Sequence, residues 1–538
     1  MDIYIYMYIY YESLSLPGFL PSEITSTPII TMFIQLLPLI IIFFLTLPLL
    51  WFILNKGSKS QKSSTKSDVL PKRYPIIGSI FAIVSNQSNR VQWITQILQN
   101  CPSATYTLHL VFGYHQILTA NPDNVQHILK THFNNYPKGY FFINVFFDFL
   151  GNGIFNVDGE SWKFERQVSS HEFNTKSLRK FVETVVDTEL HDRLIPTLSD
   201  AASGKTVIDL QDVLQRFAFD NVCKIAFGYD PACLLPSLPQ SQFADAFEDA
   251  THLSSQRFRT PLSITWRMKR FFNVGSEKKL KIAISQVRDF AKKIVREKKQ
   301  ELANNSSLES VDLLSRFLAS GHSDEDFATD IVISFILAGR DTTSAALTWF
   351  FWLIHKHPEV EKEILKEIKE KSDMPVYEEV KDMVYIHASL CEAMRLYPPV
   401  PTDSKLAVED DVLPDGTVVK KGTLLTYAPY AMGRMEKIWG SDWAEFNPER
   451  WLQRDEAGKR GFVGRDPYTY PVFQAGPRIC LGKEMAFLQM KRLVAGILRR
   501  FKVESAVEEG FQPVFVAYLT AKMKGGFPIK VEERGQLD

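Results

Sequence analysis

The sequence contains few cysteines and no excess charge of either sign. Its five cysteines are scattered through 538 residues, and none belongs to a CxxC pair or a Cys/His cluster. An odd and dispersed set provides neither a disulfide framework nor a structural zinc site, and it favours a reducing compartment. The 62 basic and 62 acidic residues balance, so the net charge of zero gives no support for nucleic-acid binding.

Charged residues are also absent from the stretch between Pro28 and Leu54. An uncharged run of this length predicts a transmembrane helix, because it exceeds the apolar part of a cleaved signal peptide. Residues 55–70 are rich in serine and lysine and predict a flexible, positively charged linker. By the positive-inside rule we expect a single-pass N-terminal anchor at 28–54, with the domain at 71–538 in the cytosol. Residues 1–27 form an extension of unknown role, without the arginines of a transit peptide.

Neither a second linker nor an internal repeat divides the sequence after residue 70, which favours one large domain. Helical periodicity is clear over Ser177–Leu198, Asp209–Phe227 and Glu277–Ala303. Short strand patterns occur at Tyr106–Val111, Gln116–Ala120, Val418–Tyr427 and Gly526–Val531. The sequence therefore predicts a mainly α fold with a minor β part.

A polar segment interrupts the most apolar helical stretch of this domain, Asp326–Leu353. The interruption reads Ala-Gly-Arg-Asp-Thr-Thr and runs from Ala338 to Thr343. A helix that is apolar on all faces lies at the centre of a large domain. A threonine hydroxyl can bond to the carbonyl of the preceding turn, so we expect Thr342 to open the helix there. The alternative is a satisfied polar pair that only kinks a core helix.

The ten residues from Phe473 to Gly482 form the most informative motif. They read F-Q-A-G-P-R-I-C-L-G, and a predicted helix follows Cys480. The N-terminus of a helix stabilises a thiolate, and the two glycines leave room for a close approach. A buried structural cysteine beside a turn is the alternative interpretation.

Four motifs in this order resemble those of the cytochrome P-450 superfamily, the haem-thiolate monooxygenases. They are a WxxxR pair at Trp162 and Arg166, the AGxDTT segment at 338–343, ExxR at Glu392 and Arg395 followed by a PERW segment containing Arg450, and the cysteine motif at 473–482. The resemblance covers about Leu70 to Glu532. It implies the cytochrome P-450 fold and a bound haem b.

The resemblance also implies a role for individual residues. Cys480 would be the axial ligand of the haem iron, in a motif that includes Phe473, Gly476 and Gly482. Asp341 and Thr342 would pass protons to bound oxygen beside the opening at Ala338 and Gly339. The expected partners of the haem propionates are Arg478, Trp162, Arg166 and Lys405. Glu392, Arg395 and Arg450 would form a buried charge network that holds the cysteine loop.

Within the superfamily, the sequence resembles the plant fatty acid ω-hydroxylases. The resemblance rests on Asn135–Gly139, Asp148–Asn156, Ser170–Asn174 and Gly482–Ala486. It implies hydroxylation of the terminal carbon of a medium- or long-chain fatty acid with O2. The electrons would come from NADPH–cytochrome P-450 reductase at the endoplasmic reticulum membrane. A close relative in this branch oxidises jasmonoyl-isoleucine, also at a terminal carbon, and the motifs do not separate the two substrates.

Family position and aromatic crowding indicate the residues around the substrate. The pocket candidates are Phe141, Phe142, Phe146, Phe335, Val400, Leu519, Thr520 and Ala521. Lys138 is a candidate partner for a substrate carboxylate, and Lys163, Lys483 and Arg492 are candidates for the reductase contact. Two other functions remain open: a hydroperoxide isomerase, whose relatives lose the helix threonine, and a non-catalytic haem protein.

Overall fold

The computed structural model describes residues 70–238, 241–304, 312–320, 324–508 and 510–535. The predicted extension at 1–27, the anchor at 28–54 and the linker up to residue 69 lie outside these residues. In the part of the chain that is described, no helix has both the length and the apolar character needed to cross a membrane. From Ser67 onward the chain is one compact unit.

Helices dominate this unit, as the periodicity of the sequence predicts. They are α1 Ile80–Ser85, α2 Arg90–Gln99, α3 Pro122–Gln126, α4 Gly139–Leu150, α5 Gly159–Ser170, α6 Thr175–Lys180, α7 Asp187–Glu189, α8 Ile195–Gly204, α9 Leu210–Phe227, α10 Gln242–Arg259, α11 Ser263–Phe271, α12 Gly275–Asn304, α13 Leu313–Ala319, α14 Glu325–Ile336, α15 Thr342–Lys356, α16 Pro358–Lys369, α17 Tyr377–Lys381, α18 Val384–Leu396, α19 Pro429–Met432, α20 Glu436–Trp439 and α21 Lys483–Arg500. π-Helical turns occupy His127–Thr131, Phe181–Val186, Leu190–Leu194 and Leu337–Asp341.

The strands form small sheets at the edges of the helical body. They are β1 Thr105–His109, β2 His115–Thr119, β3 Ile208–Asp209, β4 Asp403–Leu406, β5 Asp411–Val412, β6 Val418–Val419, β7 Leu424–Tyr427, β8 Leu452–Arg454, β9 Arg460–Phe462, β10 Phe501–Ser505, β11 Phe515–Ala517, β12 Ala521–Met523 and β13 Pro528–Glu533. The largest sheet has the order β1-β2-β7-β4, with β2 and β7 parallel and the other pairs antiparallel. A three-stranded sheet has the order β10-β13-β3.

Two predicted elements differ in detail from the structure. The single strand predicted over Val418–Tyr427 is two strands, β6 and β7, because Gly422 turns the chain between them with φ of +82°. The single helix predicted over Ser177–Leu198 alternates between α-helical and π-helical turns. Its apolar period is nevertheless kept, since Phe181, Val186 and Leu190 are all fully buried.

The apolar stretch that the sequence places at the centre of the domain does lie there. α14 and α15 continue each other through the π-helical turn at Leu337–Asp341, and their side chains are almost all buried. α9 and α18 pack against α15, and α12 packs against α14. The indole ring of Trp349 stacks on Tyr397 with ring centroids 4.0 Å apart. This central helix carries the polar segment on which the site is built.

Candidate active site

The central helix opens where the polar segment interrupts it. Leu337–Asp341 forms a π-helical turn, and the Thr342 hydroxyl donates a hydrogen bond to the Ala338 carbonyl oxygen at 2.6 Å. A side chain that occupies a main-chain acceptor loosens the regular helical ladder, and π-helical turns are frequent at functional sites. Ala338 and Thr342 both line one cavity within the domain, called the cavity below.

Asp341, beside Thr342, is buried and has two polar partners. Its carboxylate accepts a hydrogen bond from Arg340 at 2.7 Å, and Thr520 donates its hydroxyl to the other oxygen at 3.3 Å. Thr520 also lines the cavity. The geometry therefore connects a buried carboxylate to the cavity wall through a hydroxyl group.

Two glycines of the motifs are required by contacts within the protein. A Cβ at Gly339 would lie 2.5 Å from a methyl carbon of Val222 on α9. A Cβ at Gly476, whose φ is +67°, would lie 2.1 Å from the carbonyl oxygen of Leu129. Close packing of the chain on itself is therefore sufficient to require glycine at both positions. At Gly482 an added Cβ would make only ordinary contacts, the nearest at 3.5 Å.

The cysteine loop holds Cys480 just before α21. The Cys480 amide donates to the Phe473 carbonyl at 2.9 Å, which closes the loop. The side chain is accessible to solvent, although the surrounding protein raises the pKa of its thiol by desolvation. The Gly482 amide and the cations Arg166 and Lys483 act on this pKa in the opposite direction. Coordination by a metal cation deprotonates such a thiol completely.

The residues of the tryptophan motif lie against the same loop. Arg166 donates to the Ile479 carbonyl at 2.8 Å, one residue before the cysteine. The Arg478 guanidinium lies 4.5 Å from the centre of the Trp162 ring and donates to the Asp158 carboxylate at 2.7 Å. α5 therefore brings both motif residues to the cysteine loop, with Arg478 between them.

Lys405 belongs to a buried cluster of charges beside the cavity. Lys138 and Lys405 contact the same carboxylate, that of Asp403, at 2.9 and 3.1 Å, and Gln474 donates to it at 2.6 Å. Burial and the positive charges of Lys138 and Arg478 lower the pKa of Lys405 to about 7, despite its contact with Asp403. The pKa of Asp403 is held below its usual range by its two ammonium neighbours, although burial opposes them. The cluster is therefore short of negative charge.

These residues fit a thiolate-ligated haem. An accessible thiol with an amide neighbour suits the axial position, and an opened helix with a threonine lies on the cavity wall. Within the described part of the chain, Lys138, Lys405 and Arg478 have two carboxylates as ion-pair partners, those of Asp403 and Asp158. The acidic propionates of a haem would supply the negative charge that this corner lacks.

A separate network lies beneath the cysteine loop, on α18 and the PERW segment. Glu392 and Arg395 are fully buried and form a two-pronged ion pair with both distances at 2.8 Å. Arg450 donates to Glu392 at 3.1 Å, and the Trp451 indole donates to it at 2.9 Å. The Tyr470 hydroxyl, just before the cysteine loop, donates to a carbonyl of α18 at 2.9 Å. The network thus connects the loop to α18, and its charged residues are not part of the cavity lining.

The cavity has a volume of about 250 Å³ and includes most of the predicted lining. Phe142, Phe146, Val400, Leu519 and Thr520 line it. Phe141, Phe335 and Ala521 do not, and each is in the core instead: Phe141 packs on Phe258 at 5.3 Å, Phe335 packs against the cluster around α14, and Ala521 is in strand β12. Periodicity alone could not tell which face of each element points to the cavity.

Sequence reasoning missed the part of the lining that comes from α2 and the end of α10. Arg90 and Val91 contribute from α2, and Ser255, Phe258 and Arg259 contribute from α10. These residues belong to none of the motifs, and no local pattern marks them. They are far apart in sequence, so only the fold brings them together.

The prediction that Arg492 contacts the reductase is wrong, because this residue is not on the surface. Arg492 is fully buried on α21, where it donates to Asp187 at 2.5 Å. A partner protein cannot reach it. Lys163 and Lys483 are exposed and keep the predicted role as a proposal.

A second group of possible metal ligands lies away from this cavity. His127, His132 and Asp411 have ligand atoms within 4.8 Å of one another. Both imidazoles contact the same Asp411 oxygen, at 2.9 and 2.8 Å, and Tyr136 donates its hydroxyl to it at 2.7 Å. Mutual hydrogen bonding accounts for this cluster without an ion.

The fold is mainly helical, and an accessible cysteine precedes a long helix. The central helix opens at a threonine, and a cluster of cations lies beside the cavity. These features together are those expected of the haem-thiolate class. Residues 69–523 match the family model described as Cytochrome P450. The chain belongs to the cytochrome P450 family. It is accordingly a monooxygenase with a thiolate-ligated haem, and this family implies O2 and a reductase as partners.

Curated relatives agree with this assignment. Cytochrome P450 94A2 of Vicia sativa is 62% identical over 497 residues, which cover 91% of this chain and 97% of the relative. Cytochrome P450 94B1 of Arabidopsis thaliana is 48% identical over 497 residues, covering 91% of this chain and 97% of the relative. Cytochrome P450 86B1 of Arabidopsis thaliana is 42% identical over 487 residues, covering 86% and 85%.

Proposed function

We propose that this protein hydroxylates the terminal carbon of medium- or long-chain fatty acids. The observation that carries the proposal is the apolar lining of the cavity beside the opened helix. Phe142, Phe146 and Leu150 line it together with Ala338 and Thr342. Aromatic and aliphatic side chains of this kind suit a hydrocarbon chain.

The terminal methyl group has the strongest C–H bonds of such a chain, so its oxidation requires positioning. Phe142 and Phe146 of α4 line the same cavity as Thr342, and we expect these aromatic side chains to favour entry of a chain end over a bend in the chain. The plant ω-hydroxylase segments at Asn135–Gly139 and Asp148–Asn156 support the same substrate class.

Each of these residues has its own proposed role in the reaction. Haem, once bound through Cys480, supplies oxygen activation. Thr342 holds its hydroxyl at the opened turn, where it can orient a water and hand on a proton. Asp341 is the next proton carrier inward, within hydrogen-bonding distance of Thr520 on the cavity wall. Arg478, Arg166, Trp162 and Lys405 are proposed to hold the propionates.

The proposed location is the endoplasmic reticulum membrane. The uncharged run from Pro28 to Leu54 would be a single-pass anchor, with the catalytic domain in the cytosol. Electrons would then come from NADPH–cytochrome P-450 reductase in the same membrane. Lys163 follows Trp162 in the tryptophan motif, and Lys483 lies three residues after Cys480. Both are exposed, and we propose them as reductase contacts.

The test is oxidation of a substrate mixture. Microsomes containing this protein and a plant reductase receive saturated and unsaturated fatty acids together with jasmonoyl-isoleucine, with NADPH, and products are identified by mass spectrometry. The proposal predicts fatty acids with a terminal hydroxyl group. Oxidised jasmonoyl-isoleucine alone would make it a hormone-catabolising enzyme. Conversion of a fatty acid hydroperoxide without NADPH would favour the isomerase, and no product with any substrate would favour a non-catalytic haem protein.

A further inference from the structure

Two arginines from helices that are distant in sequence meet on the wall of the cavity that Thr342 lines. Arg90 is the first residue of α2, and Arg259 is the last residue of α10. Arg90 donates a hydrogen bond to the main-chain carbonyl of Arg259 at 3.3 Å. The Arg259 guanidinium donates to the Ser255 hydroxyl at 3.0 Å, and both arginines line the cavity. The fold thus places two arginines next to each other in the lining of a largely apolar cavity.

Neither guanidinium has an acidic partner among residues 70–238, 241–304, 312–320, 324–508 and 510–535. Glu248, on the same helix as Arg259, is already paired with Lys522 at 3.0 Å. Burial and the neighbouring Arg259 lower the pKa of Arg90 to about 10. Partly buried cations are normally paired, because desolvation without a counter-charge is costly. The pair is therefore arranged for an anion from outside the described chain.

Lys138 is the other cation that lines the cavity, and its situation is different. Its ammonium group is bound to Asp403 at 2.9 Å. The sequence suggested Lys138 as the partner of a substrate carboxylate, but within the protein it already contacts the carboxylate that it shares with Lys405. Among the described residues, Arg90 and Arg259 are the cations of the lining that contact no carboxylate.

The position of the pair also suits the acid end of a long substrate. Gln87 and Ser88, beside Arg90 in the lining, are exposed to solvent. Leu337, on the central helix, lies in the same lining and is 5% exposed. The aromatic side chains Phe146 and Phe258 are also part of the wall, with their ring centroids 6.0 Å apart. The cavity thus combines a solvent-facing cationic part with a buried apolar part.

We propose that Arg90 and Arg259 bind the carboxylate of the substrate and leave its methyl end to reach Thr342. This inference rests on the proposed function in that the substrate is an acid with an apolar tail. The guanidinium groups can each offer two parallel N–H donors to a carboxylate, which fixes its direction as well as its position. Holding one end of the chain determines which carbon reaches the catalytic turn.

The test compares acids with their esters in the holoenzyme. Dodecanoate and methyl dodecanoate are titrated into membranes containing the protein, and binding is read from the change in haem absorbance. We expect Arg90→Gln and Arg259→Gln each to raise the Kd for dodecanoate by about tenfold, equivalent to about 1.4 kcal/mol. The Kd for the methyl ester should not change. Arg→Lys variants, which keep the charge and lose the planar fork, should fall between wild type and Gln.

Arg454→Gln is the matched control, since Arg454 is an exposed arginine on β8 that does not line the cavity. It should leave both Kd values unchanged. Equal weakening of acid and ester in the cavity variants would indicate a structural role and overturn the proposal. Unchanged binding of the acid would overturn it as well.

Titration of a second acid and its ester distinguishes failure of the arginine site from failure of the proposed fatty acid function. Jasmonoyl-isoleucine and its methyl ester are titrated in the same way. If the protein leaves fatty acids unoxidised but needs both arginines to bind jasmonoyl-isoleucine, the arginine site stands and the fatty acid function fails. If fatty acids are hydroxylated equally well by both Gln variants and wild type, the function stands and the arginine site fails.

Discussion

Replacement of Glu392 by glutamine tests how the cysteine loop is supported. The Glu392 carboxylate is fully buried and accepts five hydrogen bonds. Two come from Arg395 at 2.8 Å, and the others come from the Asn447 amide, Arg450 and Trp451 at 3.0, 3.1 and 2.9 Å. Glutamine keeps the size of the side chain, removes its charge and turns one acceptor into a donor.

The expected loss of stability follows from the burial of both partners. Removing one member of a buried ion pair costs about 3–5 kcal/mol, because the other charge is left without a partner. Glu392→Gln leaves Arg395 buried and its charge uncompensated, so we expect the free energy of unfolding to fall by about 3 kcal/mol or more. Such a loss is large beside a typical total of about 5–15 kcal/mol. The loop should loosen with it, and less haem should be retained.

Urea unfolding followed by tryptophan fluorescence measures the loss of unfolding free energy. Haem absorbance per mole of protein measures how much haem is retained. Glu160→Gln is the control, because Glu160 is highly exposed in its contact with Lys163 at 2.7 Å. It should change neither quantity. A loss below about 1 kcal/mol for Glu392→Gln, the range of an exposed ion pair, would refute this reasoning.

Three further predictions follow from the site and its surroundings. Thr342→Ala removes the hydroxyl at the opened turn, so product formed per NADPH consumed should fall by about tenfold or more; an unchanged ratio would contradict the proton-transfer role. Gly476→Ala should sharply reduce haem content, because the added Cβ meets a carbonyl oxygen at 2.1 Å, whereas Gly482→Ala should be tolerated; similar haem absorbance in the two variants would contradict this. Hydrogen bonds from His127, His132 and Tyr136 outweigh burial and hold the pKa of Asp411 below its usual range. The stability that the ionised Asp411 carboxylate gives to the folded protein is therefore present above the unfolded-state pKa of about 3.9 and is lost as the pH falls below that value. Asp411→Asn should lower the free energy of unfolding at pH 7 by about 1 kcal/mol. The urea unfolding midpoint of the variant should also fall less steeply than that of wild type as the pH is lowered. Midpoints that fall in parallel for the two proteins would contradict this.

The sequence predicted the central helix and its interruption because both depend on local chemistry. An apolar stretch without a polar face has to be buried, and a threonine after a glycine has a main-chain acceptor within reach at Ala338. The charge network of Glu392, Arg395 and Arg450 was recognised from motif order, and the structure brings the three side chains together.

Other features depend on contacts between distant segments, which no local pattern records. Gly476 is required by the carbonyl oxygen of Leu129, a residue more than three hundred positions earlier in the chain. The sequence offers Lys138 to a substrate carboxylate, yet in the fold it contacts Asp403. Arg90 and Arg259 belong to no motif, and only the fold brings them together on one wall of the cavity.

The measurement that tests the central claim most directly is oxidation of dodecanoic acid carrying three deuterium atoms on its terminal carbon. The holoenzyme, plant reductase and NADPH are supplied with ¹⁸O-labelled O2, and the hydroxylated product is analysed by mass spectrometry. Terminal hydroxylation replaces one deuterium by a hydroxyl group, so the account predicts a product with one ¹⁸O atom and two deuterium atoms on its terminal carbon. A product that retains all three deuterium atoms would show oxidation within the chain and contradict the account.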